Sequence, residues 1–111
     1  MTAIDAIELT DSICVALDHP SIAGHFPGDP IVPGVILIDH IAALLERNAC
    51  GSLRRLGAIK FVAPLRPGEI AVANVRIDGA RVRFRVARGE QAIMSGDAEL
   101  AVTSKAEEGN A

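Results

Sequence analysis

The spacing of apolar positions changes period along this chain, from two to a continuous apolar run and back to two. Near the start, Ile13, Val15 and Leu17 alternate with polar or small residues and predict a strand that ends before His19-Pro20. From Pro33 to about Asn48 the residues Val35, Ile36, Leu37, Ile38, Ile41, Ala42, Ala43, Leu44 and Leu45 leave little polar face. That run predicts a helix with Gly51 as its stop. A helix apolar nearly all round is a buried one, and this one is too short and too interrupted to span a membrane. Beyond it the alternation returns. Leu56 to Pro64 reads as a strand around Ile59, Phe61 and Val62, Pro67-Gly68 as a turn, and Glu69 to Ile77 as a further strand. Asp78-Gly79 is a hairpin signal. Arg81 to Val86 alternates strictly, arginines on one face and apolar residues on the other, and Ala92 to Val102 returns after a turn at Arg88-Gly89-Glu90. Strand, loop, buried helix and then a meander of strands predict an α+β domain: an antiparallel sheet wrapped around one long central helix. Residues 1–103 form that single domain, and residues 104–111 read as a flexible polar tail.

Composition narrows the class. The chain has 111 residues, 50% of them hydrophobic, which suffices for one core. Aromatic residues make up 3%, all Phe, so the core is aliphatic and there is no stacking platform for nucleic acid. A net charge of −3 argues against a general DNA binder. The first residues lack a basic start and an apolar run, so no signal peptide is expected and the reading is cytoplasmic. Cys14 and Cys50 lack metal-ligand spacing and read as reduced packing residues. Phosphate-loop and dinucleotide fingerprints are absent, so no cofactor and no metal are expected.

Candidate chemistry sits between the first strand and the helix, in Gly24-His25-Phe26-Pro27-Gly28-Asp29-Pro30-Ile31-Val32-Pro33-Gly34-Val35. Pro27, Pro30 and Pro33 stiffen this segment and bias the residues before them toward extended backbone. Pro33 suits a first helical position. Gly34 lets a ligand approach the backbone, and the free N–H groups of the first turn favour a negative oxygen. A thioester carbonyl placed there would be polarised. Asp39 stands in an apolar helix, the environment in which a carboxyl can serve as a general acid; a solvent-facing position is the competing reading. His40 points about 100° away from Asp39 and reads as a satisfied or partly exposed neighbour. A histidine and a carboxylate flanking a helix N-terminus suffice for acid/base chemistry on a carbonyl compound.

Residues 25 to 35 resemble the FabA/FabZ-type 3-hydroxyacyl-ACP dehydratases of the hotdog fold, whose motif has the form His-Phe-Pro-Gly-x-Pro-x-x-Pro-Gly-Val. Those enzymes also carry an acid fourteen residues after the histidine, here Asp39. Ala58 to Glu69 is similar to their lysine-phenylalanine strand and proline-glycine turn. The resemblance covers roughly residues 12 to 103. Two departures stand out. Ala43 occupies the position of a family glutamine, and the N-terminus lacks the helix and extra strand of longer dehydratases. The short size, the aspartate and Ser95-Gly96 look more like the ApeI-like branch. The resemblance implies a homodimer with sites at the interface, where the loop histidine and the helix acid of one site come from different subunits. His25 would remove a proton from Cα, Asp39 would protonate, or orient water toward, the departing 3-hydroxyl, and the Gly34 N–H would hold the thioester carbonyl. Phe26, Pro33 and Val35 would line the substrate site. The product would be a trans-2-enoyl thioester in fatty acid or polyene-type biosynthesis.

Charge adds a partner. Residues 1 to 50 hold seven acids and one base, and residues 51 to 111 hold ten bases and seven acids. Acyl carrier proteins are acidic and dock through electrostatic steering. Arg54 and Arg55 are the candidate docking residues, with Arg81, Arg83, Arg85 and Arg88 next, although a solvated strand face explains the latter stripe equally well. Two other functions fit the same residues. One is a hotdog thioesterase with Asp39 as base or nucleophile; His25 in its full motif favours dehydration, and Ala43 weakens that preference. The other is a non-catalytic carrier-binding subunit of a heterodimer.

Overall fold

The computed structural model describes residues 6–16 and 31–101. Its elements run β1 (Ile7–Ile13), α1 (Gly34–Arg47), β2 (Ser52–Phe61), β3 (Ala71–Asp78), β4 (Arg81–Arg88) and β5 (Gln91–Ala101). The strands form one antiparallel sheet in the order β1-β3-β4-β5-β2. This is the expected α+β arrangement. The strand that follows the helix crosses to the far edge of the sheet and pairs there with β5.

Alternation dictates the layers. In β3 every second residue, Ala71, Ala73, Val75 and Ile77, is buried, and in β4 the buried positions are Val82, Phe84 and Val86. These inner residues meet Leu37, Ile41, Leu44 and Leu45, which recur at helical spacing along α1. The residues of α1 at 35, 39 and 43 fall on the opposite side and are exposed. The helix is therefore amphipathic in packing although its sequence is apolar nearly all round.

The sequence expectation for the first strand is corrected. The strand is Ile7–Ile13, while Val15 is buried beyond its end and Leu17 lies outside the described residues. Its alternation is masked by Asp11, which occupies the same face as Leu9 and Ile13. A carboxylate is tolerated there because α1 supplies its partners. His40 Nε2 lies 3.1 Å from Asp11 Oδ2, and Arg47 donates to the same oxygen at 2.9 Å. His40 is thus a satisfied, half-buried neighbour, as read from sequence. Cys50 packs against the core as expected, but Cys14 is exposed and packs against nothing in it. The tail at residues 104–111 lies outside the described residues.

The helix stops earlier than Gly51. Asn48 is its C-cap, and Ala49 takes a left-handed conformation with φ 57°. Ala49 N–H donates to the Glu46 carbonyl and Cys50 N–H to that of Leu45, which is the Schellman pattern with alanine where glycine is usual. Asn48 Nδ2 also donates to the Leu44 carbonyl at 2.8 Å. The left-handed alanine is strained by its Cβ. Ala49→Gly is expected to stabilise the fold by about 0.5–1 kcal/mol, whereas Ile41→Ala, at a site with no solvent exposure, is expected to cost about 2–5 kcal/mol. Chemical denaturation at constant m-value checks both, and an unchanged or lower midpoint for Ala49→Gly would refute the first.

Candidate active site

The N-terminal end of α1 is built to leave donors free. Pro33 is its N-cap, with φ −60° and ψ 143°, and no side chain caps the turn. The first acceptor used is the Pro33 carbonyl, bonded by Ile36 N–H at 3.0 Å. The N–H groups of Gly34 and Val35 have no partner among the described residues. No acidic residue occupies the first turn to compete for them. The loop before the helix is tied down by Val32 N–H, which donates to the Leu65 carbonyl at 2.7 Å.

Beside those donors lies an apolar cavity of about 350 Å³, lined by Pro33, Gly34, Leu37, Phe61, Leu65 and Ile93 among others. Its wall is the segment that leaves β2. Val62 N–H donates to the Ile93 carbonyl at 2.8 Å. Arg88 donates to the Pro64 carbonyl and to Glu69 Oε1, both at 3.0 Å, and Arg66 N–H donates to the same carboxylate oxygen. The Arg66 N–H and then the Arg88 charge hold the Glu69 carboxyl below the ordinary carboxylate range. Arg88 therefore braces the cavity wall, which removes it from the set of free docking cations.

Gly34 has a steric role as well as a conformational one. A Cβ there would fall 2.5 Å from Phe61 Cζ and 2.6 Å from Cε1, so the phenyl ring lies directly on the glycine backbone. Phe61 is nonetheless 54% exposed. The ring covers the helix N-terminus from one side only, and a short side chain at 34 would push it away. Phe61 was legible in the sequence only as a strand residue. The signal available was an aromatic at the end of a strand, followed by Ala63-Pro64, in a chain with three Phe in all.

The sequence-predicted residues divide into three groups. Pro33 and Gly34 line the cavity. Val35 and Asp39 share the outward face of α1, one turn apart, with Val35 59% exposed. The apolar enclosure expected around Asp39 is not supplied by its own chain, because the buried stripe of the helix faces the sheet. His25 and Phe26 lie outside the described residues. Arg54 and Arg55 are exposed at the start of β2, six or seven residues from Phe61. At about 3.3 Å per residue they stand roughly 20 Å from the cavity, so the structure does not bring them to it.

Large apolar side chains are exposed on α1 (Val35), on and just beyond β2 (Leu56, Phe61, Val62), and also on β1 and around the start of β3 (Ile7, Ile70, Val72). Among the described residues strand β2 is also a sheet edge, paired only with β5. Its register with β5 shifts between Leu53 and Arg55 and again between Leu56 and Ile59.

This architecture, with its helix N-terminus and apolar cavity, defines a hotdog-type α+β domain, and comparison with known proteins gives its family. The profile of the ApeI-like family, described as ApeI dehydratase, matches residues 4–97. The chain belongs to that family. Among curated relatives, the 3-hydroxyacyl-[acyl-carrier-protein] dehydratase FabZ of Proteus mirabilis is 39% identical over 80 residues, covering 72% of this chain and 47% of the relative. The FabZ of Fusobacterium nucleatum is 32% identical over 83 residues, covering 68% of this chain and 59% of the relative. The chain thus spans about half to three-fifths of the length of these relatives. A solved structure of the dehydratase heterocomplex ApeI:P from Xenorhabdus doucetiae superposes with a TM-score of 0.76 at 25% identity, covering 84% of this chain and 86% of that one. The fluoroacetyl-CoA-specific thioesterase FlK superposes at 0.59 with 17% identity, a likeness of fold alone. Among the described residues no helix is long and apolar enough to cross a membrane.

The ion-pair cluster beneath Asp39 has a pH signature. The His40 hydrogen bond, and after it that of Arg47, holds the Asp11 carboxyl below its ordinary value. A carboxyl lowered by folding stabilises the fold above its unfolded pKa, about 3.9, and that contribution is lost as pH falls through the folded value. Asp11 is one-third exposed, so solvent reduces the effect. Asp11→Asn is expected to lower the denaturation midpoint at pH 7, with the gap to the parent closing as pH falls below the ordinary aspartate value of about 3.9. A gap that stays constant with pH would show that the carboxylate charge is not what ties α1 to β1.

Proposed function

We propose that this chain is a 3-hydroxyacyl-thioester dehydratase, eliminating water from an acyl chain carried on an acyl carrier protein to leave a trans-2-enoyl thioester. The observation that carries this reading is the His25–Val35 motif running directly into a helix start whose Gly34 N–H has no partner among the described residues, beside an apolar cavity. In this reading the Gly34 N–H donates to the thioester oxygen, where the helix N-terminus favours the negative charge that develops. His25 takes the proton from Cα. Neutral imidazole is plentiful near pH 7, because the ordinary histidine value is about 6.5. Asp39 delivers a proton to the departing 3-hydroxyl, so that hydroxide leaves as water. The acyl chain beyond the reacting carbons lies along the cavity lined by Leu37, Leu65 and Ile93.

Asp39 needs a second subunit to act in this way, since it stands on the outward face of α1 with Val35. A copy of the chain packed along β2 would cover Val35, Leu56, Phe61 and Val62, pair the free strand edge and enclose Asp39. Homodimerisation is therefore part of the proposal. The solved ApeI:P relative is a heterocomplex, and on that precedent a different hotdog chain is the competing occupant of this edge. Docking of an acidic carrier protein at Arg54 and Arg55 is carried over from the charge distribution; it requires the carrier to reach the cavity from roughly 20 Å away along the strand.

Hydrolysis of the thioester is the second chemical reading, since Ala43 in place of the glutamine of the resembled family weakens the preference for dehydration. One assay separates the two. Purified protein is given 3-hydroxyacyl and trans-2-enoyl thioesters, interconversion is followed by mass, and free thiol is followed with a thiol reagent. Interconversion without thiol release is expected, falling by at least about 100-fold in His25→Ala and in Asp39→Asn, the usual scale for general acid–base groups. Thiol release dependent on Asp39 would instead make the chain a thioesterase, and inactivity in both channels would leave it a carrier-binding subunit.

A further inference from the structure

The outer face of the sheet, opposite α1, carries a groove that the proposed reaction does not use. Its volume is about 820 Å³. Strand register arranges the side chains of this face in rows that cross the sheet. One row is Thr10, Asn74, Arg85, Ser95 and Lys60, each the direct partner of the next on the adjoining strand, and all five line the groove. It carries two cations and no carboxylate. The neighbouring row, Glu8, Arg76, Arg83 and Asp97, carries two of each sign. The row beyond, Asp78, Arg81, Glu99 and Arg55, is balanced too. The excess positive charge of this face is thus concentrated in a single row.

Hydrogen bonding within that row leaves donors aimed at a ligand. Thr10 Oγ1 donates to Asn74 Oδ1 at 3.0 Å, so the acceptor of the Asn74 amide is used and its NH2 group remains. Arg76 in the balanced row is held by Glu8 Oε2 at 2.7 Å. Among the described residues, neither Arg85 nor Lys60 makes an ion pair or a hydrogen bond through its side chain. Arg85 points outward, its chain neighbours Phe84 and Val86 being buried.

We propose that this row binds the phosphate monoester of a small-molecule ligand, seated over Ser95 between Arg85 and Lys60. Adjacent strands lie about 4.8 Å apart, so the two cations flank Ser95 at a span that their long side chains close onto one anion. The guanidinium fork matches two phosphate oxygens, the ammonium acts as a point charge, and the Ser95 hydroxyl and Asn74 amide add neutral donors. The groove is far larger than a phosphate, which leaves room for the rest of the ligand beside it. Glu8 and Asp97 line the same groove. They would repel an extended acidic protein surface, while a single phosphate over Ser95 meets no carboxylate in its own row. This site lies on the other face of the sheet from the acyl cavity and does not depend on the reaction proposed there.

The test is an NMR titration of the isotope-labelled full chain at fixed ionic strength, with inorganic phosphate, pyrophosphate and adenosine 3′,5′-bisphosphate as probes. Saturable shifts are expected at the amides around Asn74, Arg85, Ser95 and Lys60. A tighter response to the bisphosphate than to inorganic phosphate is expected, and a bisphosphate response no tighter than that of inorganic phosphate would overturn the assignment of an organic phosphate monoester. Arg85→Gln and Lys60→Gln should each weaken binding about tenfold, the effect of losing one charge-assisted contact, whereas Arg81→Gln in a balanced row should change it less than twofold. Unperturbed spectra of the unliganded variants verify that they fold. Shifts spread evenly over every exposed arginine, an equal loss in Arg81→Gln, or tighter binding of an acidic peptide than of any phosphate would overturn the proposal.

Discussion

The rotation of α1 about its own axis is the constraint on which everything else rests. Leu37, Ile41, Leu44 and Leu45 are buried against the inner face of the sheet, and burying each side chain is worth about 1.5–3 kcal/mol. The helix can satisfy all four in only one orientation. That orientation turns Val35, Asp39 and Ala43 outward and brings His40 and Arg47 over Asp11. It also sets Gly34 beneath the Phe61 ring. Hydrophobic packing thus positions the polar groups, while the polar groups supply little of the stability.

The same packing leaves the sheet with two edges, β1 and β2. Among the described residues strand β2 is joined to the sheet only on its β5 side. Leu56 and Phe61 on that strand and Val62 just beyond it are exposed. Long exposed edges with apolar side chains invite pairing. A second subunit at β2 would bury the apolar residues and enclose Asp39 in one step. In the proposed reading, assembly and acid chemistry would both depend on that one surface.

Much of this was legible in the sequence. The meander after the helix was readable because Arg81 to Val86 alternates without interruption and because Asp78-Gly79 marks its hairpin. The helix was readable from its apolar run. Its exposed face was not, because a helix with aliphatic residues on all sides gives no direction for the sheet. The first strand was misplaced for an equally specific reason. Asp11 breaks the apolar alternation, and only the tertiary partners His40 and Arg47 make it acceptable there. The helix ends near Asn48, as its sequence predicts, but the left-handed turn that follows falls on Ala49, ahead of Gly51. At the candidate site, Pro33 and Gly34, which line the cavity, followed from the motif. Phe61 did not, because its contact with Gly34 bridges the two ends of a helix–strand return.

A site that spans two subunits can be tested by mixing two dead proteins. His25→Ala and Asp39→Asn would be co-refolded in equal amounts and assayed for dehydration of a 3-hydroxyacyl thioester. Random pairing puts half the dimers in mixed form, each with one site holding both His25 and Asp39, so recovery of about one quarter of parental activity is predicted. A mixture no more active than either variant alone would contradict the account.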